Sequence, residues 1–304
     1  PLWSRGLGDV YKRQVEHWTN KGDVRLFMWE KFVDTPANKP AVLFVHGSSM
    51  ASQPTFDLTV PGRADSSVMD WFAKRGFVCW CVDMEGYGRS DKTRDITCDI
   101  SNGADDLAAA TDYIRRTRGI ESFLTYGISS GALRAALFTQ RYPDRVSRLA
   151  LDAFVWTGEG AHTLEQRRKK LPEFLSSNRR SIDRAYVYSI FERDHAECVE
   201  KRVVEAFADA ILALDDSMPN GTYIDMCSKL PLVDPKKITV PTVILRGQFD
   251  GIAAFDDLIE FFKLLPHPDK QFTMLNGISH ASFQQKNYCL LYTSDAADDS
   301  LRVD

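Results

Sequence analysis

The chain has 304 residues, of which 44% are apolar, and a formal net charge of −4. A balance this near neutral gives no cationic face that would concentrate nucleic acid or an anionic membrane. No apolar run reaches the ~20 residues that a membrane helix requires. The six cysteines show no Cys-x-x-Cys and no Cys/His ligand spacing, so they are read as reduced structural thiols in a cytoplasmic setting.

The two ends do not read like the rest. Asp9 to Gln14 can be encoded by DNA whose reverse complement, in another frame, encodes Cys289 to Ser294. The flanks Ser4 to Gly8 and Asp295 to Asp298 look like translated transposon-end adaptor DNA. Residues 1–14 and 289–304 are therefore expected to be adaptor-derived tails. The remaining stretch suits one α/β core, 15–154 and 236–288, interrupted by a helical cap at 155–235.

Residues 23–33 alternate loosely and suit an antiparallel strand. Ala41 to Val45 is a solid apolar run of buried-strand type, and it ends in His46, Gly47, Ser48 and Ser49. Residues 50–66, with Pro54, Pro61 and Gly62, read as a long loop. A short helix is predicted over 67–75. Phe77 to Val82 is the next buried strand, and Cys79 and Cys81 share one of its faces. Asp83 to Ser90 follows as a tight turn in which Asp83 and Glu85 fix the loop. A helix over 104–118 carries Leu107, Ala110, Tyr113 and Ile114 as its apolar stripe and is capped at Gly119. Phe123 to Ile128 is an apolar strand leading into Gly127-Ile-Ser129-Ser130-Gly131 and a helical pattern that ends near Pro143. Residues 146–154 form another strand.

Strand signals then stop. Helices are predicted at about 163–177, 181–193, 197–214 and 222–229, and Val199, Val203, Phe207 and Ile211 fall on one face of the third. Strand patterning resumes at Thr242 to Arg246, followed by a loop holding Phe249 and Asp250. A helix at about 254–265, a strand over Gln271 to Leu275, a loop holding His280 and a final helix beginning near Ser282 complete the chain. Alternating strands and helices imply a mostly parallel sheet with helices on both faces.

Gly-x-Ser-x-Gly between an apolar strand and an amphipathic helix is the pattern of a nucleophile elbow. Gly127 and Gly131 let strand and helix approach closely, and Ser129 stands at a helix N-terminus that favours developing negative charge. A serine hydroxyl needs an adjacent base near neutral pH. His280 would take its proton and return it to the leaving group, and Asp250 would orient the imidazole. Ser129, Asp250 and His280 each follow a strand end, where such sheets carry their chemistry. The backbone N–H groups of Ser48 and Ser130 are the candidate oxyanion-hole donors. Rivals are His17, His46, His162, His195 and His267 for the base, and Asp152, Asp256 and Asp257 for the acid. Met50, Phe154, Trp156 and Phe249 are candidate pocket residues, with ordinary packing as the other reading of each. Neither a metal nor a cofactor is expected.

Taken together, His46-Gly47 after one strand, Asp83 to Ser90 after the next, the elbow, Asp250 and His280 make residues 23–288 resemble the α/β-hydrolase fold superfamily. That resemblance implies an eight-stranded-type sheet with an inserted helical cap and a small-molecule substrate. It implies a serine hydrolase cleaving an ester or thioester of a small or medium apolar or aromatic acyl group through an acyl-enzyme. The alternatives are a carbon–carbon bond hydrolase of a ring-cleavage diketone and a non-catalytic ligand-binding protein on the same fold. Oligomeric state is left open.

Overall fold

A computed structural model describes residues 12–293. Residues 1–11 and 294–304, most of the two tails expected to be adaptor-derived, lie outside the described residues.

In chain order the first half runs β1 (Lys12–Lys21), β2 (Val24–Val33), β3 (Ala41–Val45), α1 (Ser52–Phe56), α2 (Val68–Ala73), β4 (Val78–Val82), α3 (Ile100–Arg118), β5 (Phe123–Ile128), α4 (Ser130–Arg141) and β6 (Val146–Asp152). An insertion follows: α5 (His162–Arg168), α6 (Leu171–Leu175), β7 (Arg179–Ser181), α7 (Arg184–His195), α8 (Lys201–Leu212), β8 (Ser217–Pro219) and α9 (Gly221–Ser228). The chain then returns to the sheet with β9 (Thr242–Gly247), α10 (Phe255–Leu264), β10 (Lys270–Leu275) and α11 (Cys289–Thr293).

Eight strands form one sheet in the order β1-β2-β4-β3-β5-β6-β9-β10, while β7 and β8 pair separately. From β4 to β10 every pairing is parallel, and β2 joins β4 antiparallel with β1 outside it. All residues of β3 and β4 are buried because both faces of the sheet are covered. Leu43, Val45, Trp80 and Val82 pack with residues of α3, α4 and α10. Val42, Phe44, Cys79 and Cys81 pack on the other face with residues of α2 and α11.

The structure departs from the sequence reading in several places. Strand β1 was not expected, and it takes in Lys12, Arg13 and Gln14, which pair with Val33, Phe32 and Lys31. As an edge strand with mostly solvated side chains, it lacks the apolar run that marks a buried one. The expected loop 50–66 contains α1, and α3 starts four residues early because the Asp99 carboxylate caps it by accepting the Asn102 N–H at 2.8 Å. The long helix expected over 163–177 is two short ones, with Pro172 in the first turn of the second. A 3-10 turn at Ser282–Gln284 replaces the start of the last helix, which begins only at Cys289.

The insertion is tied to the carboxyl ends of the strands. Asp215 accepts the Gly88 N–H at 2.9 Å and pairs with Lys92, Asp225 accepts the Ile100 N–H at 2.9 Å, and Arg179 donates to the Gly86 carbonyl at 3.0 Å. Val203, Phe207 and Ile211 of α8 join the same apolar cluster as the sheet.

Candidate active site

Strand β5 turns into α4 at Ser129, whose φ of 60° and ψ of −127° lie in a region that L-residues avoid. Such a residue costs roughly 1–3 kcal/mol and persists only where its surroundings over-determine it. Those surroundings are its glycine neighbours. A Cβ at Gly127 would stand 2.4 Å from the Gly131 carbonyl oxygen, and one at Gly131 would stand 2.1 Å from that of Val45. The Ser129 N–H donates to the Asp152 carbonyl at 2.9 Å, which fixes the turn to the end of β6.

Three strand ends converge at this turn. His280 Nε2 lies 2.8 Å from Ser129 Oγ, and its Nδ1 lies 3.0 and 2.9 Å from the two oxygens of Asp250. An ionised carboxylate only accepts, so Nδ1 carries the ring proton and Nε2 is left to accept from the serine hydroxyl. Asp250 is 4% exposed and His280 5%. Burial alone would raise the Asp250 carboxyl, but the charge and hydrogen bond of His280 outweigh it. With the N–H groups of Ala253 and Ile252, they hold it down at about 2. The segment beyond the histidine is clamped by Arg63, which donates to the carbonyls of Phe283, Gln284 and Gln285.

The loop after β3 packs directly on the elbow. A Cβ at Gly47 would stand 3.3 Å from Ser129 Cβ, and Ser48 Oγ donates to Ser130 Oγ at 2.8 Å. The Ser130 N–H lies in the first turn of α4, where no intrahelical acceptor exists. Neither it nor the Ser48 N–H meets an acceptor among the described residues. His46 accepts the Met84 N–H on Nε2 and donates from Nδ1 to the Gly47 carbonyl at 2.8 Å. Burial and the nearby Arg134 guanidinium lower it to about 3, so it is a neutral strut. Arg134 in turn donates to the His46 carbonyl at 3.0 Å.

The rivals have other partners. His17 bonds Tyr113 and Glu30, His162 is exposed, His195 stacks on Phe249 with ring centroids 4.1 Å apart, and His267 accepts the Asp269 N–H. Asp257 holds the start of the insertion through the N–H groups of Trp156, Thr157 and Gly158, and Asp256 is exposed. Asp83 accepts from Ser52 and the Arg89 N–H, while Glu85 pairs with Lys21 and Arg94.

Asp152 lies deeper than the triad. It accepts from the Tyr126 hydroxyl at 2.7 Å and the Ser282 hydroxyl at 2.8 Å. Burial raises it to about 7 despite those bonds, with repulsion from Asp250 adding to the rise. Of the four candidate pocket residues, Met50 is buried and Phe249 is 36% exposed. Trp156 is half-buried, with its indole donating to the Val233 carbonyl. Phe154 has no exposed surface and packs edge-on against Phe261, so packing is the reading that fits it. Two features escaped the sequence reading: the hydroxyl partners of Asp152, and a group of arginines and tyrosines in the insertion beside Ser49. Neither leaves a spacing signal, because the partners come from distant elements.

Residues 36–287 match the family described as serine aminopeptidase, S33. Among curated proteins, the bifunctional esterase/perhydrolase DCH of Acinetobacter calcoaceticus is 25% identical over 255 residues, 77% of this chain and 85% of that one. A proline iminopeptidase of Neisseria gonorrhoeae is 23% identical over 281 residues, 81% of this chain and 85% of that one. Among solved structures, an esterase of Exiguobacterium antarcticum superposes with a TM-score of 0.69 over 95% of this chain and 100% of its own, at 14% identity, a likeness of fold. No described helix is long and apolar enough to cross a membrane. The chain is therefore a hydrolase with the α/β-hydrolase fold and belongs to the serine aminopeptidase S33 family.

Proposed function

We propose that this chain is a serine hydrolase that cleaves a carboxylic ester or thioester through an acyl-enzyme on Ser129. The observation that carries the reading is the unbroken hydrogen-bond chain from Asp250 through His280 to Ser129, beside two uncommitted backbone N–H groups. In this reading Ser129 Oγ attacks the acyl carbon as its proton passes to His280 Nε2. Asp250, held ionised, stabilises the imidazolium that forms. The N–H groups of Ser48 and Ser130 receive the oxyanion, where one donor is typically worth about 3–4 kcal/mol. The imidazolium then protonates the leaving group, and water, activated by the same histidine, releases the acid. Residues 155–235 act as the cap that selects a small-molecule substrate, with Met50, Trp156 and Phe249 as apolar lining.

The kinship to an esterase/perhydrolase supports the ester reading. The same three residues would also serve hydrolysis of a carbon–carbon bond in a diketone. Two measurements decide. A fluorophosphonate probe is expected to label Ser129 and not the Ser129→Ala variant, which loses about 10⁵-fold or more in kcat. p-Nitrophenyl acyl esters are expected to turn over in preference to a vinylogous diketo acid. No labelling points to a ligand-binding protein, and diketone cleavage without ester turnover points to the carbon–carbon reaction.

A further inference from the structure

Beside the oxyanion loop, the insertion gathers two arginines, Arg167 and Arg180, that pair with no carboxylate among the described residues. Tyr223 of α9, Tyr186 of α7 and Ser49 form a triangle of hydroxyls: Ser49 Oγ lies 2.7 Å from Tyr186 Oη and 3.1 Å from Tyr223 Oη, and the two phenols are 2.8 Å apart. Ser49 directly follows the oxyanion-loop residue Ser48. The guanidinium carbons of Arg180 and Arg167 stand 3.8 and 4.0 Å from the centre of the Tyr223 ring. Arg180 has a structural task, donating to the carbonyls of Ser48 and Pro219. Arg167 has none: among the described residues its guanidinium makes no hydrogen bond and no ion pair. Among the described residues no carboxylate pairs with either arginine, and the nearby Arg193 has its ion pair with its chain neighbour Asp194.

An arginine in such a place is costly. Arg167 is half-buried where α5 packs on α9. A charge withdrawn from water is unfavourable unless it is paired, and the acidic groups that face this one are phenols, foremost Tyr223, rather than a carboxylate. The demand is visible at Tyr223. Burial would raise its phenol, but Arg167, Arg180 and Arg193 together draw it down to about 6.

We propose that Arg167, backed by Arg180 and the Tyr186–Tyr223 pair, is a subsite for a carboxylate at the far end of the substrate, beyond the bond that Ser129 attacks. The proposal rests on the serine-hydrolase reading for its substrate and deepens it. One guanidinium fork with all its donors uncommitted matches one carboxylate, edge to edge. A second arginine committed to carbonyls adds charge but few donors, which disfavours a phosphate dianion. The same field turns away an ammonium, so a peptide's free N-terminus is a poor occupant of this subsite.

The test uses p-nitrophenyl monoesters of a series of dicarboxylic acids, succinate to suberate, each paired with the neutral monocarboxylic ester of equal chain length. In the wild type at least one acid-tipped ester is expected to exceed its neutral partner about 10-fold or more in kcat/KM. Arg167→Met should lower that ratio by about 10- to 100-fold, mainly through KM, as loss of a charge-assisted contact implies. Arg167→Lys should recover part of it. A ratio near one in the wild type across the series, or one that Arg167→Met leaves unchanged, overturns the subsite. So does a larger Arg167-dependent preference for a phosphonate-tipped ester. Calorimetry of the free dicarboxylates on Ser129→Ala separates the two claims. Binding that Arg167→Met abolishes, alongside a wild type inert to every ester, keeps the subsite and sinks the ester reading. Ester turnover without dicarboxylate binding does the reverse.

Discussion

Strands β6 and β9 are neighbours in the sheet, and a buried aspartate follows or closes each at its carboxyl end. Asp152 and Asp250 are equally withdrawn from solvent, at 0% and 4% exposure, yet one carboxyl rises to about 7 and the other falls to about 2. Burial pushes both upward; what differs is the donors. Asp250 faces an imidazole and two backbone N–H groups in its own loop, all oriented toward a negative charge. Asp152 faces two hydroxyls, from Tyr126 and Ser282, which favour its anion by less than burial opposes it. The first arrangement maintains a permanent anion beside His280. The second makes a brace, since Asp152 receives the elbow's N–H on its carbonyl and the segment after His280 on its carboxyl.

The sharpest way to break this contrast is to neutralise each acid in turn. Asp250→Asn is expected to cut kcat on a p-nitrophenyl ester by about 10⁴-fold, through loss of the imidazole's orientation and charge partner. Asp152→Asn, isosteric and still able to accept from the hydroxyls, should cost about 10-fold or less. Similar losses from both would mean that Asp152 shares the role assigned here to Asp250.

A smaller effect concerns stability against pH. An unfolded aspartate titrates near ~3.9. Asp250, depressed in the fold, contributes stability that is present above that value and is lost as pH falls toward about 2. Asp152, raised in the fold, has the opposite sign: its contribution is complete below ~3.9 and is lost as pH rises through about 7. Urea titrations of Asp152→Asn between pH 4 and 7 should therefore show a pH slope more positive than the wild type's, by at most about 1.4 kcal/mol per pH unit. Equal slopes would show that the Asp152 carboxyl keeps its proton affinity on unfolding.

The parts legible in the sequence are those with a local signature. β3, β4 and β5 are apolar runs because both their faces are covered, and Ser129, Asp250 and His280 were singled out because each follows a strand end. The edge strand β1 was not legible, since pairing to β2 rather than an apolar pattern makes it a strand. Arg167 was hidden for a related reason. It lies in Glu165-Gln-Arg-Arg-Lys-Lys170, which looks like a solvated charge run, and only the packing of α5 on α9 singles it out from Arg168, Lys169 and Lys170. Asp152 was weighed as an acid for its place after a strand, but its brace joins β5, β6 and the His280 loop, and no linear spacing encodes that.

The backward bend at Ser129 bears on how this chain would drift if its chemistry ceased to matter. Glycine adopts that bend freely, so Ser129→Gly should withstand denaturant better than the wild type by about 1 kcal/mol, after allowing for glycine's looser unfolded state. Equilibrium unfolding of the purified variant measures this, and a weaker variant would mean that the hydroxyl's tie to His280 outweighs the bend. Durability and reactivity thus pull against each other at a single side chain, and a descendant relieved of turnover would be expected to trade it for glycine early.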